Sequence, residues 1–551
     1  MSIFSVAESG TSFHRSRFSK SISNRMDYDC QFHQLVPVLK RFVLPGDIWK
    51  IGGDVLVRFH PMLSPTLTPN NFRVRYFFVP LRLVEPDTEL IITGSKEGKL
   101  YTGTLPTFPN FLYYADTNVD ANANKVSLHT FWDYMNVQAS DGTNPYLDYT
   151  AIKNDACLPA AYWRKGYNKI CYEFYDDENR GPWHANNVDY DAANNYILKL
   201  GGNSTCYYTA LSKDYFTSSL PWQLKGVAPS ITLGVGSVDF TNSMGSINTT
   251  PGWSTDGIVG VDSSGLQAGD AFNTAGQITN HAYNTELLNA LNAAQVSLTG
   301  SLDMDDIRTM AAQTRLFERL ARCGSRYTEY LKANFGLAPA DDTLQRPQYL
   351  GGWKVPIVTT EVLQTAADGT NPVGTMRGHG ITRGGQQIKT FYAKEFGMLF
   401  GLAEIRPDVQ YTTGIPRQLT YKSRFDFFNP SFQHLSEQEV RNGEIYISNS
   451  DGQNDNTFGF QAYANELRTC QNETVGDLRY SLSFWNQALH FTTRPNLNYA
   501  FIQGSNHLAS FNAPFAVNGP TAYPIIVQFY NRLDVYRPMV RYATPGLVDH
   551  L

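Results

Sequence analysis

The segment Ser325–Gly352 reads SRYTEYLKANFGLAPADDTLQRPQYLGG. It joins an amphipathic, arginine-bearing stretch to the loop Leu344-Gln345-Arg346-Pro347-Gln348-Tyr349-Leu350-Gly351-Gly352. The segment contains no metal-ligand spacing, no glycine-rich phosphate loop and no nucleophile motif. We therefore interpret the segment as a structural motif and not a catalytic one. Its interpretation depends on the other motifs of the chain.

Several other stretches occur with it in a fixed order. They are Val43–Asp47, Tyr76–Leu83, Tyr167–Glu173 with Asp177–Asn179, Asp214–Ser218, Leu220–Gln223, Phe458–Phe460 with Tyr463 and Arg468, Pro495–Asn498 and Pro545–His550. In this combination the chain resembles the major capsid proteins of the gokushoviruses, small icosahedral single-stranded DNA phages of the microvirus family. The resemblance is collinear and covers about residues 30–551.

The resemblance implies both a fold and a function. The implied fold is mainly β: a viral eight-stranded jelly-roll β-sandwich with large loop insertions that contain helices and a surface protrusion. The implied function is structural, with sixty copies forming a T=1 icosahedral shell around a circular single-stranded DNA genome. The implied partners are further copies of the chain, the packaged DNA, other virion proteins such as a pilot or DNA-binding protein, and a host-surface receptor. The protein would be a virion component, assembled in the bacterial cytoplasm.

The residues themselves also indicate a β-rich chain. Alternation in Asp54–Phe59 and Phe72–Tyr76 fits half-buried strands, and another β-type run, Tyr523–Val535, lies near the C-terminus. Strands at both ends of a long middle region predict one sandwich with expanded connections. We assign the first jelly-roll strands to 27–80, an inserted helix and loop region to 81–225, and the remaining loops and strands to 337–551.

The composition is poor in charge and rich in aromatic residues. Charged residues make up 17% and aromatic residues 13% of the chain, against roughly 25% charged in typical soluble domains. Large obligate interfaces are depleted in charge and enriched in aromatic side chains, so this composition favours a subunit of an assembly. A large β-rich enzyme with a well-filled core would have a similar composition.

The sequence offers little for catalysis, metal binding or membrane insertion. The eleven histidines lack metal-site spacing, and we predict no catalytic residue, no metal and no cofactor. The six cysteines have no C-x-x-C spacing, which favours reduced, buried thiols. No signal peptide pattern and no apolar run of membrane-spanning length appears. Catalysis, secretion and membrane insertion are therefore not expected.

The first 26 residues are rich in serine and predict an extended basic arm on the inside of a shell. The arm carries Arg15, Arg17, Lys20 and Arg25 against a single acid, Glu8. These cations could contact packaged DNA through its phosphates. The alternatives are a solvated tail, or an arm that contacts neighbouring subunits.

The segment 226–301 contains no lysine or arginine, although acids are present. A region without cations should not face phosphates, so we expect it to face outward. The resemblance agrees, since gokushovirus capsid proteins carry a central insertion that builds protrusions at the threefold axes and would serve host attachment. Trp253 and Tyr283 are candidate stacking platforms for a glycan, or else the small core of the insertion.

Residues 302–336 predict an amphipathic helix with acids in its first turn. The arginines Arg315, Arg319, Arg322 and Arg326 follow one another at four- and three-residue spacing, which places them on one face of a helix. This stripe could face DNA, or it could form ion pairs within the chain and with neighbouring subunits.

A second hypothesis is a carbohydrate-binding or carbohydrate-active β-rich protein. Such an enzyme would need a pair of carboxylates in a cleft. The sequence does not point to such a pair.

Overall fold

A computed structural model of the chain describes most of the two ends and less of the middle. The described residues are 18–96, 99–100, 102–108, 128–137, 159–177, 179, 188–190, 196–198, 206–226, 234–235, 298–299, 304–324, 326–363, 365, 373–374, 376–432, 437–450, 452–517 and 523–539. Residues 224–320 form one compact unit, and the remainder of the chain forms the other.

Eight strands of the larger unit build two antiparallel sheets. The strands are β1 (Asn24–Cys30), β2 (Val36–Val43), β3 (Ile48–Phe59), β4 (Asn70–Pro80), β5 (Gln348–Ile357), β6 (Met376–Gln387), β7 (Gly397–Pro407) and β8 (Ile525–Arg537). The first sheet has the order β1-β8-β3-β6 and the second the order β2-β7-β4-β5. Most consecutive strands lie in opposite sheets, and this connectivity is that of an eight-stranded jelly roll. The predicted fold class is confirmed.

Shorter strands accompany the jelly roll. Phe18–Ser21, Thr359–Leu363 and Phe391–Tyr392 extend the first sheet. The other short strands form two-stranded pairs: Ser95–Lys96 with Lys99–Leu100, Val188–Tyr190 with Tyr196–Leu198, Gly234–Val235 with Leu298–Thr299, and Glu437–Arg441 with Thr457–Ala462.

Helices lie in the connections. Within the described residues they are α1 (Thr88–Thr93), α2 (Phe131–Tyr134), α3 (Tyr162–Phe174), α4 (Met304–Cys323), α5 (Tyr327–Phe335), α6 (Asn442–Ile445), α7 (Tyr499–Ile502) and α8 (Leu508–Phe511). The first five fall between β4 and β5, and the last three between β7 and β8. The two longest connections of the jelly roll therefore carry the helical structure, including three short helices in 337–551, where only loops and strands were expected.

The core of the sandwich is aromatic. Phe529 of β8 is fully buried, and its ring centroid lies 6.1 Å from that of Phe72 on β4 and 6.2 Å from that of Trp353 on β5. Gly53 of β3 faces the same ring, and a Cβ atom there would lie 2.6 Å from Phe529 Cζ. Glycine at position 53 thus lets the two sheets approach each other around one large side chain.

The second sheet is covered on its other face by α3. Trp163 packs against Phe400 of β7 with ring centroids 5.6 Å apart, and Phe174 packs against Phe77 of β4 at 4.9 Å. Gly166 allows this contact, because a Cβ atom there would lie 2.8 Å from Met398 Cε. As a result, every residue of β7 except Arg406 is buried.

Residues 326–352 hold α5, the loop that follows it and the first half of β5. Gly336, with φ +68°, ends α5 in the left-handed conformation that favours glycine. Gly352 lies against β4, where a Cβ atom would meet the Val74 carbonyl oxygen at 2.4 Å. Arg346 lies 4.3 Å from the ring centroid of Phe174 on α3. These contacts hold the chain where it leaves its longest insertion and enters β5.

Candidate assembly and nucleic-acid surfaces

The predicted N-terminal arm is partly incorporated into the first sheet. Lys20 lies in the short strand Phe18–Ser21, opposite Val535 of β8. Arg25 lies in β1, opposite Tyr530, and its side chain forms an ion pair of 3.1 Å with Asp27. Both cations are exposed. Arg15 and Arg17 lie outside the described residues.

The first sheet has one face in the sandwich core and one face toward solvent. Burial alternates along β8, where Ile525, Val527 and Phe529 are buried while Ile526 and Tyr530 are exposed. Because side chains on neighbouring strands share a face when they are in register, the pairing defines the whole outer set. Sequence analysis missed this surface, although the alternation in Tyr523–Val535 was the signal that could have located it.

Cations outnumber carboxylates on this outer face. Its strands carry Arg25, Lys50, Arg58, Arg377, Arg383 and Arg532 against Asp27, Asp29, Asp54 and Asp534. Arg532 is paired with Asp54 at 3.0 Å. The face therefore has a positive excess even after its internal ion pairs are counted.

Two cations of the face stand among apolar neighbours. Arg58 of β3 lies opposite Ile381 of β6 on one side and Ile526 of β8 on the other. Arg383 of β6 lies opposite Leu56 of β3. The two arginines are therefore diagonal neighbours across β3 and β6. Among the residues that the structure describes, neither arginine has an ion pair. Both side chains are exposed and so remain available to an anionic partner.

The arginine stripe does not lie on one helix. The predicted helix over 302–336 is divided into α4 and α5, because Gly324 adopts φ +89° and Arg326 is extended just before α5 begins. Arg326 donates hydrogen bonds to the carbonyl oxygens of Tyr172 (2.8 Å), Glu173 (2.8 Å) and Asp176 (3.2 Å). It therefore caps the C-terminal end of α3, where a cation is favoured by the helix dipole.

The other stripe residues have separate surroundings. Arg322 forms an ion pair of 2.6 Å with Glu437, whose side chain is only 3% exposed. Arg315 and Arg319 are exposed on α4. Arg322 thus forms an ion pair within the chain and Arg326 caps a helix, while contacts of the stripe with neighbouring subunits or with DNA stay predictions.

The segment 226–301 falls within the smaller compact unit, residues 224–320. Near its two ends, Gly234–Val235 and Leu298–Thr299 pair as antiparallel strands. Trp253 and Tyr283 lie outside the described residues, so their proposed role stays a prediction.

Two carboxylates meet in the connection between β7 and β8. Glu444 accepts hydrogen bonds from the Tyr215 hydroxyl (3.0 Å) and from Arg417 Nη1 (3.1 Å). Glu466 accepts a hydrogen bond from the Tyr421 hydroxyl at 2.8 Å and lies 3.7 Å from Arg417 Nε. Burial raises the pKa of Glu444, and its hydrogen bonds and Arg417 oppose that shift. The pair is buried around one arginine and stabilises this connection.

A cleft of about 410 Å³ also contains two carboxylates. In it Glu395 is paired with Arg82 at 2.6 Å, and Asp342 with Lys394 at 3.1 Å. Each acid has its own cation, and the hydrogen bond from Lys394 lowers the pKa of the Asp342 carboxyl. A second cleft of about 270 Å³ is lined by Arg326, Arg346 and their neighbours.

The described part of the chain holds no cluster of three or more His, Cys, Asp or Glu suited to a metal ion. No helix in that part is long and apolar enough to cross a membrane. Cys30, Cys171 and Cys206 are buried free thiols, whereas Cys323 and Cys470 are exposed.

Comparison with known proteins identifies the class of the chain. Residues 8–547 match the family model described as Capsid protein (F protein). The chain is 26% identical to Capsid protein VP1 of Chlamydia phage 1, over 97% of this chain and 96% of that protein. It is 26% identical to Capsid protein VP1 of Bdellovibrio phage phiMH2K (97% and 95%) and 25% identical to Capsid protein VP1 of Spiroplasma virus 4 (93% and 92%). The gokushovirus resemblance is thus confirmed, and the chain belongs to the phage F-protein family of capsid proteins, structural components of the virion.

Proposed function

We propose that sixty copies of this capsid protein form a T=1 shell around circular single-stranded DNA, and that the outer face of the first sheet contacts the genome together with the N-terminal arm. The observation that supports this proposal is the diagonal pair Arg58 and Arg383, exposed and without an ion pair in the described part of the chain. Tyr530 and Tyr536 of β8 are 42% and 38% exposed on the same face. Cations beside exposed aromatic rings suit a single strand, which offers both phosphates and unstacked bases.

The contact would be electrostatic and independent of sequence. Each phosphate neutralised on a single strand contributes about 0.7 to the slope of log affinity against log salt. Removing Arg58 and Arg383 would therefore reduce that slope by about 1.4. The same change should leave the fold intact, because both side chains lie on the solvent side of the sheet.

The experiment compares R58Q/R383Q with the matched control K332Q/K354Q, which removes two exposed lysines, one on α5 and one on β5 of the second sheet. Binding of unassembled subunits to a single-stranded oligonucleotide is measured over a range of salt concentrations, and DNA content is measured in purified particles. We expect a shallower salt slope and less packaged DNA for R58Q/R383Q only. Equal behaviour of the two variants would show that this face does not contact DNA.

The arm is tested separately by changing Arg15, Arg17, Lys20 and Arg25 to alanine. We expect lower DNA content and reduced salt sensitivity of packaging. Particles with unaltered yield, DNA content and salt dependence would show that the arm is not a DNA-binding element.

We further propose that residues 226–301 project outward and mediate host attachment. The supporting observations are the absence of lysine and arginine from this segment and its place in a compact unit of its own. If Trp253 and Tyr283 are glycan platforms, W253A and Y283A particles should assemble normally and adsorb poorly to host cells. Failure of these variants to assemble would instead indicate that the two aromatics form the core of the insertion.

A further inference from the structure

A loop between β7 and β8 presents large apolar side chains to solvent. The exposed fraction of the side chain is 63% for Phe425, 57% for Phe427 and 44% for Phe428. Leu419, in the preceding 3-10 turn Arg417–Thr420, is 77% exposed. We call residues 419–432 the aromatic loop. Isolated exposed apolar residues are common, but four large apolar side chains exposed within one short loop indicate an interaction site.

The aromatic loop is held in shape by its own hydrogen bonds. Asp426 Oδ2 accepts hydrogen bonds from the backbone amides of Lys422 (2.9 Å) and Ser423 (2.6 Å), and the amide of Phe425 donates to Ser423 Oγ at 3.3 Å. These amide donors lower the pKa of the Asp426 carboxyl. Further along, the Ser431 amide donates to Asn429 Oδ1 at 2.9 Å. The phenylalanines are therefore exposed by an ordered turn.

The base of the loop is anchored in the larger unit. Arg417, just before it, is paired with Glu444 at 3.1 Å. Tyr421 donates a hydrogen bond to Glu466, and its ring centroid lies 5.5 Å from that of Phe427. A rigid element loses little conformational entropy when it is bound, which favours association.

The exposed area suits a contact between proteins. A large aromatic side chain buries roughly 150–250 Å². With the exposed fractions above, and with Leu419 counted at a similar size, the patch offers roughly 450 Å². A partner that covers it loses an equal area, so the contact would total about 900 Å², near the roughly 1,000 Å² expected of a biological interface.

The chemistry of the loop favours protein over nucleic acid. Its exposed cations are Lys422 and Arg424, and Arg424 lies 4.8 Å from the ring centroid of Phe425. Asp426 offsets one of these charges, whereas the outer face of the first sheet has a clear positive excess. Interface cores are enriched in Phe and Arg and depleted in other charged residues, which matches this loop.

We infer that the aromatic loop is a docking element that binds a second copy of this chain. A capsid protein must contact copies of itself, and the loop offers an ordered apolar surface for that purpose. The inference rests on the capsid function of the family and not on the proposals for DNA or host attachment.

The test uses full-length chain produced in cells that support particle formation. F425S/F427S removes the two most exposed rings of the loop, and the matched control L467S/Y480S removes two exposed apolar side chains of the same connection outside the loop. Particle yield is measured by sedimentation, and the melting temperature of the unassembled subunit is measured as a check of folding. We expect F425S/F427S to melt like the wild type and to assemble at least about tenfold less, because central aromatic residues dominate interface energies. The control should assemble normally.

Each other outcome has a distinct meaning. Wild-type yield for F425S/F427S would overturn the inference: if the particles lack DNA the loop contacts the genome, and if they are full but not infectious it contacts a host or another virion protein. If F425S/F427S fails to fold, a photo-crosslinking amino acid at position 427 in intact particles decides the matter. A crosslinked product of two copies supports the inference, and crosslinks only to DNA or to another protein overturn it. A wild-type chain that never assembles would contradict the capsid proposal itself.

Discussion

Replacing Lys165 with methionine should strongly destabilise the subunit. Lys165 of α3 forms an ion pair of 2.8 Å with Glu85, and the two side chains are only 5% and 7% exposed. Methionine keeps much of the length of lysine and removes its charge, so Glu85 would remain buried without its cation. Removal of one partner from a buried pair typically costs about 3–5 kcal/mol.

The cost should depend on pH in a definite direction. Burial already raises the pKa of Glu85 above its ordinary value of 4.5, and Lys165 opposes that shift. In K165M the folded-state pKa would therefore rise further, while the unfolded value stays near 4.5. Between the two values the folded state binds more protons than the unfolded state, so stability increases as pH falls. The difference between wild type and K165M should thus be largest near neutral pH and smaller near pH 5.

The measurement is urea unfolding of unassembled subunits at both pH values. K394M is the matched control, since Lys394 is 71% exposed and its pair with Asp342 should contribute under about 1 kcal/mol. The double variant E85L/K165M removes both charges and should be near neutral or more stable than wild type, as apolar replacements of buried pairs often are. Equal losses for K165M and K394M, or a loss in K165M that grows as pH falls, would refute this reasoning.

Three further predictions follow from single contacts. R326A should cost about 1–3 kcal/mol in urea unfolding, since three carbonyl oxygens lose their donor, whereas R315A should change little; equal effects would contradict the capping role. G53A should lower the melting temperature through overpacking worth about 1–3 kcal/mol, because the new Cβ would lie 2.6 Å from a buried ring of β8; an unchanged melting temperature would contradict it. Burial lowers the pKa of His33 and His507 below 6.5, so the unfolded chain binds more protons in acid and stability should fall as pH drops below about 6.5. H507Q should weaken that dependence in urea unfolding, and an unchanged slope would count against it.

The strands that could be predicted from sequence are those with local alternation. Asp54–Phe59 and Phe72–Tyr76 fall inside β3 and β4, and Tyr523–Val535 covers most of β8. In these strands one face meets the core and the other does not, so the period of two is visible in the residues themselves. β7 gives no such signal, because it is buried on both faces and reads as an almost continuous apolar run.

The surfaces were harder to predict because they depend on distant partners. Arg322 pairs with a residue 115 positions away, and Arg326 caps a helix whose last residues lie more than 150 positions earlier. The four- and three-residue spacing of the arginines could not show these contacts, and it did not indicate that the helix ends at Gly324. The outer face of the first sheet combines strands from both ends of the chain, so it becomes visible only when β8 is placed between β1 and β3.

The two sheets of the jelly roll therefore have different roles in the subunit. In the second sheet, the helix α3 from the longest insertion covers β7 and the adjoining part of β4 on the face that the core does not use, whereas Tyr349 and Lys354 of β5 stay exposed. The first sheet keeps a solvent face, because β8 alternates buried and exposed residues along its whole length. An insertion that packed on the first sheet would have buried Arg58 and Arg383 without an ion pair, at a cost that isolated charges rarely repay. With α3 packed on the second sheet, Arg58 and Arg383 of the first sheet stay exposed in the part of the chain that the structure describes.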